Sequence, residues 1–230
     1  MTMASLSRRL ALLALPALAL VACGAANGDG NTAAQDGTNS PSSSVEAGEL
    51  GHIKGDSNAP VTLIEYASPT CPACKYFHDS ILPEIEAKYI STGKVKFVFR
   101  EFPIHGAPDV AAYVVARCAG DDKYFDVLDD LFTNQEGIVQ AAQVGALGGM
   151  LKTVAQRHGI ETTEAFDACM ADRTIRDKLA AVYQTAEQYS VNGTPTFILD
   201  GKVRNFEGDY RSPEGFSRQI DAVLAEKGVQ

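Results

Sequence analysis

The spacing of apolar and polar residues switches between strand and helix periods along residues 55–230. Val61-Thr62-Leu63-Ile64-Glu65-Tyr66-Ala67 follows the turn signal Asn58-Ala59-Pro60 and carries one charge among β-branched and aromatic residues. That predicts a central strand covered on both faces. Apolar residues then recur at helical spacing (Tyr76, Phe77, Ile81, Leu82, Ile85, Tyr89), and Pro83 inside the run predicts a kink or a second helix. Residues 94–102 alternate polar and apolar up to Pro103, so the opening unit is strand, helix, strand. From 108 to 189 the period is helical, with helices predicted at 109–119, 123–132, 143–158, 163–171 and 174–189 and breaks at Gly120, Gly159 and around Gly137. Strand pattern returns at Thr196-Phe197-Ile198-Leu199, Asp200-Gly201 reads as a hairpin turn into 202–206, and a last helix is predicted over 213–227. Because strands flank the helical block, it reads as an all-helical insertion in an α/β fold.

The first 48 residues follow neither period. Arg8 and Arg9 precede an apolar run over 10–21, too short to span a bilayer comfortably and ending in small residues, as an export signal does. Its end, Leu20-Val21-Ala22-Cys23, resembles a bacterial lipoprotein signal, which implies that residues 1–22 are removed and Cys23 is lipidated. Residues 24–48 lack aromatics and are rich in Gly, Ala, Asn and Ser, so 23–48 is read as a lipid-anchored flexible tether. Random-coil scaling gives it a reach of roughly 25 to 30 Å. The remainder divides into 49–106, the insertion 107–189 and 190–230. Net charge is −9, and −11 without the signal, which argues against nucleic acid as a partner.

Five cysteines carry the candidate chemistry. Cys23 belongs to the anchor, Cys71 and Cys74 form a C-x-x-C after the first strand, and Cys118 and Cys169 remain. A C-x-x-C alone serves zinc sites, haem attachment and dithiol redox centres. Haem attachment needs His directly after the second cysteine, where Lys75 stands; zinc usually needs a second close ligand pair, and Cys118 and Cys169 are each single. The redox reading has a physical logic. A cysteine at a helix N-terminus has its thiolate stabilised by free N–H groups and the helix dipole, which predicts a lowered pKa at Cys71. Pro72 suits the first turn, and Cys74 lies one turn along as the buried resolving partner. Such chemistry needs no cofactor or metal. Lys75 and His78 are read as solvated helix residues, and His105 is given no role.

The chain resembles the DsbA-type thiol-disulfide oxidoreductases of the thioredoxin fold. The resemblance runs through Ala59-Pro60-Val61, Cys71-Pro72-Ala73-Cys74, Arg100-Glu101-Phe102-Pro103, the helical block and Val191-Asn192-Gly193-Thr194-Pro195-Thr196-Phe197. It implies a thioredoxin fold with an all-helical insertion, and that Thr194-Pro195 is the family's cis-proline element beside the C-x-x-C, offering backbone groups to a substrate strand. Glu65 matches the family's buried acid, placing it with Cys71 and Cys74 in the catalytic set as proton partner of Cys74. Some members carry a second disulfide, and a structural Cys118–Cys169 bond is expected here, worth about 4 kcal/mol by chain entropy. The implied activity is donation of the Cys71–Cys74 disulfide to exported proteins with free thiols, in the periplasm or cell envelope, with a membrane redox partner restoring the disulfide. Ala73 stands where the best-known oxidases carry His, so the motif gives the reaction class without its direction. A reductase or isomerase of the same fold, or a peptide-binding module, are the alternatives.

Overall fold

The computed structural model describes residues 50–229; the expected export signal, Cys23 and the whole expected tether, 23–48, lie outside them. Among the described residues, β1 (His52–Lys54), β2 (Val61–Ala67), β3 (Val95–Glu101), β4 (Thr196–Leu199) and β5 (Lys202–Asn205) form one sheet of order β1-β3-β2-β4-β5. β2 and β3 are parallel, and the other neighbours are antiparallel. Strand alternation sends Leu63, Ala67, Phe97, Phe99, Phe197 and Leu199 to one core, and Ile64, Tyr66, Val98 and Ile198 to the other. Glu65 shares the face of Leu63 and Ala67, in register with Phe99 on one side and Phe197 on the other. The β4–β5 turn is the expected two-residue hairpin, with Asp200 (φ 47°) and Gly201 (φ 79°) both left-handed. β1, three residues long, was too short to show a pattern in the sequence.

The larger core lies under α1 (Pro72–Ser80), whose inward stripe is Cys74, Phe77, His78 and then Ile81, spaced i, i+3, i+4, i+7. α2 (Leu82–Ile85) takes Pro83 into its first turn, where the missing N–H costs nothing, and runs on as one wide turn to Ile90. Six helices follow: α3 (Ala107–Cys118), α4 (Tyr124–Thr133), α5 (Gln135–Gln143), α6 (Leu147–Arg157), α7 (Thr163–Ala171) and α8 (Arg173–Gln184). Two expectations are corrected. The break near Gly137 is absent, since α5 runs through it, and the helix expected at 143–158 is interrupted at Gly145 (φ 75°) and resumes at Leu147. After α8 a 3₁₀ turn, Thr185–Tyr189, covers the smaller core with Ala186 and Tyr189. α9 (Pro213–Glu226) closes the chain, seating Phe216 against Phe77 and Phe197.

The helical block is fastened to the sheet at Glu101, the last residue of β3. Its fully buried carboxylate accepts from Arg117 Nε and Nη2 (2.7 and 3.0 Å) and from the Tyr124 hydroxyl (3.1 Å), with His52 Nε2 at 3.2 Å. Within the block a Cys118–Cys169 disulfide ties α3 to α7 across 51 residues.

Candidate active site

Two chain segments far apart in sequence meet at the N-terminus of α1. Cys71 is the N-cap of the helix, its extended backbone (φ −86°, ψ 119°) bringing the chain off β2, while its carbonyl accepts the first helical bond from Lys75 N–H (3.1 Å). Thr194-Pro195, with a cis peptide bond, lies opposite: the Cys71 thiol donates to the Thr194 carbonyl at 3.4 Å. Cys71 and Cys74 are free thiols, so this is the dithiol form. Both are buried, Cys71 at 7% exposure and Cys74 at 0%.

The two thiols differ in proton affinity. Cys71 is lowered from the ordinary 9.0 to about 5, chiefly because the Cys74 thiol donates to its sulfur; burial opposes this, and Thr194 and the N–H groups of Ala73 and Cys74 lower it further. Cys74 is pushed well above its ordinary value by burial, by the bond it gives to Cys71 and by the negative charge of Glu65. One sulfur is thus a thiolate at neutral pH while its neighbour holds its proton.

Glu65 is fully buried on β2, and its Oε2 lies 2.9 Å from His78 Nε2. Burial raises its pKa, and the His78 charge and hydrogen bond pull against that rise. His78 is therefore not the solvated helix residue expected above. It is 7% exposed, its ring tilted by 31° against Phe132 at 4.2 Å and edge-on to Phe99 at 5.8 Å. The signal was present, since His78 falls four residues after Cys74 and next to Phe77 on the inward stripe of α1.

The loop before Cys71 is held by the helical block. Gln135 on α5 donates its amide to the carbonyls of Pro69 (2.8 Å) and Cys71 (3.0 Å). The Thr70 hydroxyl donates to buried Asp109 (2.6 Å) and accepts from His105 Nδ1 (2.7 Å), the tautomer that this pairing selects. The Tyr113 hydroxyl donates to the Ala67 carbonyl at the end of β2. None of these residues stood out in the sequence, because each is a common residue type in a helix or loop whose role depends on a partner 35 or more positions away. His105, given no role above, also borders two neighbouring cavities of 350 and 440 Å³. Both share Thr70, Val139 and Gln143, and the larger reaches Pro72 beside Cys71.

Comparison with known proteins agrees with this geometry. The family model described as Thioredoxin matches residues 48–222. A Rickettsia bellii protein, provisionally named protein-disulfide oxidoreductase, is 33% identical over 176 residues, covering 76% of this chain and 64% of the relative, so the chain spans under two thirds of that protein. The crystal structure of Wolbachia pipientis alpha-DsbA1 superposes with a TM-score of 0.64 at 27% identity, over 76% of this chain and 90% of that one. Oxidised BdbD from Bacillus subtilis shares the fold, with a TM-score of 0.66 at 21% identity over 77% and 94% of the two chains.

Proposed function

The chain belongs to the DsbA-type thiol-disulfide oxidoreductases of the thioredoxin family, and we propose that it donates a Cys71–Cys74 disulfide to exported proteins carrying free thiols. The observation that carries this reading is the pairing of unlike thiols at the α1 N-terminus: a sulfur whose thiolate is stabilised beside one that holds its proton. A stabilised thiolate is a good leaving group, so the disulfide that contains it is readily given up.

The exchange runs in two displacements. A substrate thiolate attacks Cys71 Sγ, a substrate–Cys71 bond forms, and Cys74 leaves and takes up a proton. A second substrate thiolate then attacks the substrate sulfur, Cys71 departs as thiolate, and the substrate holds a new disulfide while the protein holds two thiols. Thr194 and cis Pro195 supply the wall against which an extended substrate lies, and the groove past Pro72, Thr70 and Val139 offers apolar surface to residues flanking its cysteine. Exchange of this kind requires a partner that accepts the two electrons, and the lipoprotein-like signal with its tether supports a partner in the membrane of the cell envelope.

Mixing the oxidised protein with a reduced dithiol peptide tests the reading. One peptide disulfide per protein molecule is expected, with none from Cys71→Ser. A peptide left reduced by the wild type, or equal oxidation by the variant, contradicts it.

A further inference from the structure

Opening or closing the Cys71–Cys74 bond moves a proton at Cys74, which is fully buried, and a bound substrate covers the entrance at Cys71. The proton needs another way in and out. Glu65, the nearest acid felt by the Cys74 thiol, is sealed as well: Oε2 bonds His78 and Oε1 has no protein partner. Beyond His78 the wall opens. His78 lines a cavity of 170 Å³ bordered also by Lys54, Asp79, Glu86, Asp129 and Phe132, without either cysteine among its lining residues. That volume holds several waters at about 30 Å³ each, among polar groups that would hydrogen-bond them.

We propose that His78 is the passage through which Glu65 exchanges protons with solvent, so that the proton Cys74 gains or loses travels through the back of the domain, by Glu65, His78 and the cavity between α1 and α4. The inference rests on the thiol-disulfide reading. An imidazole has two nitrogens and passes a proton by taking it on one and releasing it from the other. His78 Nε2 faces Glu65, and Nδ1 is buried without a protein partner among the described residues, while His78 itself borders the cavity. The charged groups around the ring come from every side: Glu65 on β2, Lys54 on β1 (paired with Glu86 at 3.0 Å), Asp79 on its own helix (paired with Lys75 at 2.7 Å) and Asp129 on α4. β3 contributes the uncharged ring of Phe99. Asp129 is raised by burial, in keeping with a site where protons are readily held.

The step balances in both directions. When the protein gives up its disulfide, the Cys71–Cys74 bond breaks, Cys74 leaves with the electron pair, and a proton from the cavity reaches it through His78 and Glu65. When the dithiol is oxidised through a mixed disulfide, Cys74 passes its proton to Glu65 and attacks Cys71. A Cys71–Cys74 bond then forms, the outgoing thiolate departs, and Glu65 discharges the proton through His78. His78 touches no reacting sulfur and is a positioning residue for the proton.

Oxidised glutathione is the probe. Added to the reduced full chain, it forms a mixed disulfide at Cys71 that Cys74 resolves, and acid quenching with mass analysis follows both steps between pH 5.5 and 8.5. In His78→Gln, which keeps an N–H toward Glu65 but cannot relay, the ratio of resolving to forming rate is expected to fall about tenfold at pH 7. The loss stays below the ~10² to 10⁴-fold span of general acid–base catalysis because Glu65 remains. The resolving rate should also climb more steeply with pH than in wild type. Glu65→Gln should do the same, and the double variant no worse than the more damaged single. An unchanged ratio and pH profile in His78→Gln, or losses that multiply in the double variant, overturn the proposal. If the variant does not fold, ¹⁵N spectra of the wild-type His78 ring decide: its proton distribution is expected to differ between dithiol and disulfide forms, and identical spectra overturn the relay. A wild type that forms no mixed disulfide overturns the dithiol reading itself, a separate result.

Discussion

Cys71 concentrates the chemistry because its surroundings favour its thiolate, first through the Cys74 thiol and then, against the opposing effect of burial, through Thr194 and the first N–H groups of α1. Alkylation of the reduced protein by iodoacetamide should reach half its plateau rate near pH 5, with Cys74 unlabelled up to pH 9. Cys74→Ala, which removes the largest lowering influence, should move that midpoint up toward 9.0. The sign for stability follows. A depressed pKa stabilises the folded dithiol fully above the ordinary 9.0 and loses that contribution as pH falls through about 5, whereas the disulfide form has no such group. The dithiol's margin over the disulfide in urea unfolding should therefore shrink from pH 9 to pH 5. At this scale the motif was legible, since C-x-x-C after a strand and Thr194-Pro195 before another are local patterns. His78 and Gln135 were not, because what makes them matter is a contact with Glu65 or with the 69–71 carbonyls that only the tertiary packing creates.

Among the elements, β3 and α3 carry the join between sheet and helical block. Glu101 is buried, which alone would raise its pKa, but the His52 ring and the Arg117 guanidinium outweigh this and hold it below the usual 4.5. Arg117→Met leaves that carboxylate with only His52 and Tyr124 and is expected to cost about 3 to 5 kcal/mol in urea unfolding at pH 7. The gap between variant and wild type should narrow as pH drops below 4.5 and Glu101 takes up its proton, since a depressed carboxylate contributes only while it is ionised. A loss under 1 kcal/mol at pH 7 would mean the join lies elsewhere. The long elements followed their sequence period: β2 and β3 read as strands and α1 as a helix because burial on one face or both writes itself into spacing. α5 did not. Gly137 costs a helix about 1 kcal/mol relative to Ala, and full burial of Ile138 with two hydrogen bonds from Gln135 outweighs it.

Over the molecule as a whole, one strand organises both layers. β2 delivers Glu65 to the inner face and Cys71 to the helix start, β4 brings Thr194-Pro195 alongside, and the helical block fixes the intervening loop through Gln135, Asp109 and Tyr113. The alternation of helical and strand periods made the insertion readable, but its function as a clamp on the active-site loop could not be read from one sequence. Disulfide donation depends on the claim that Cys71 is stabilised as a thiolate strongly enough to make its disulfide a donor. The reduction potential of the Cys71–Cys74 pair, measured in glutathione buffers at pH 7, tests that claim most directly. A value well above the ~−270 mV of thioredoxin, toward the ~−120 mV of the most oxidising family members, is predicted, and a value at or below about −270 mV would contradict it.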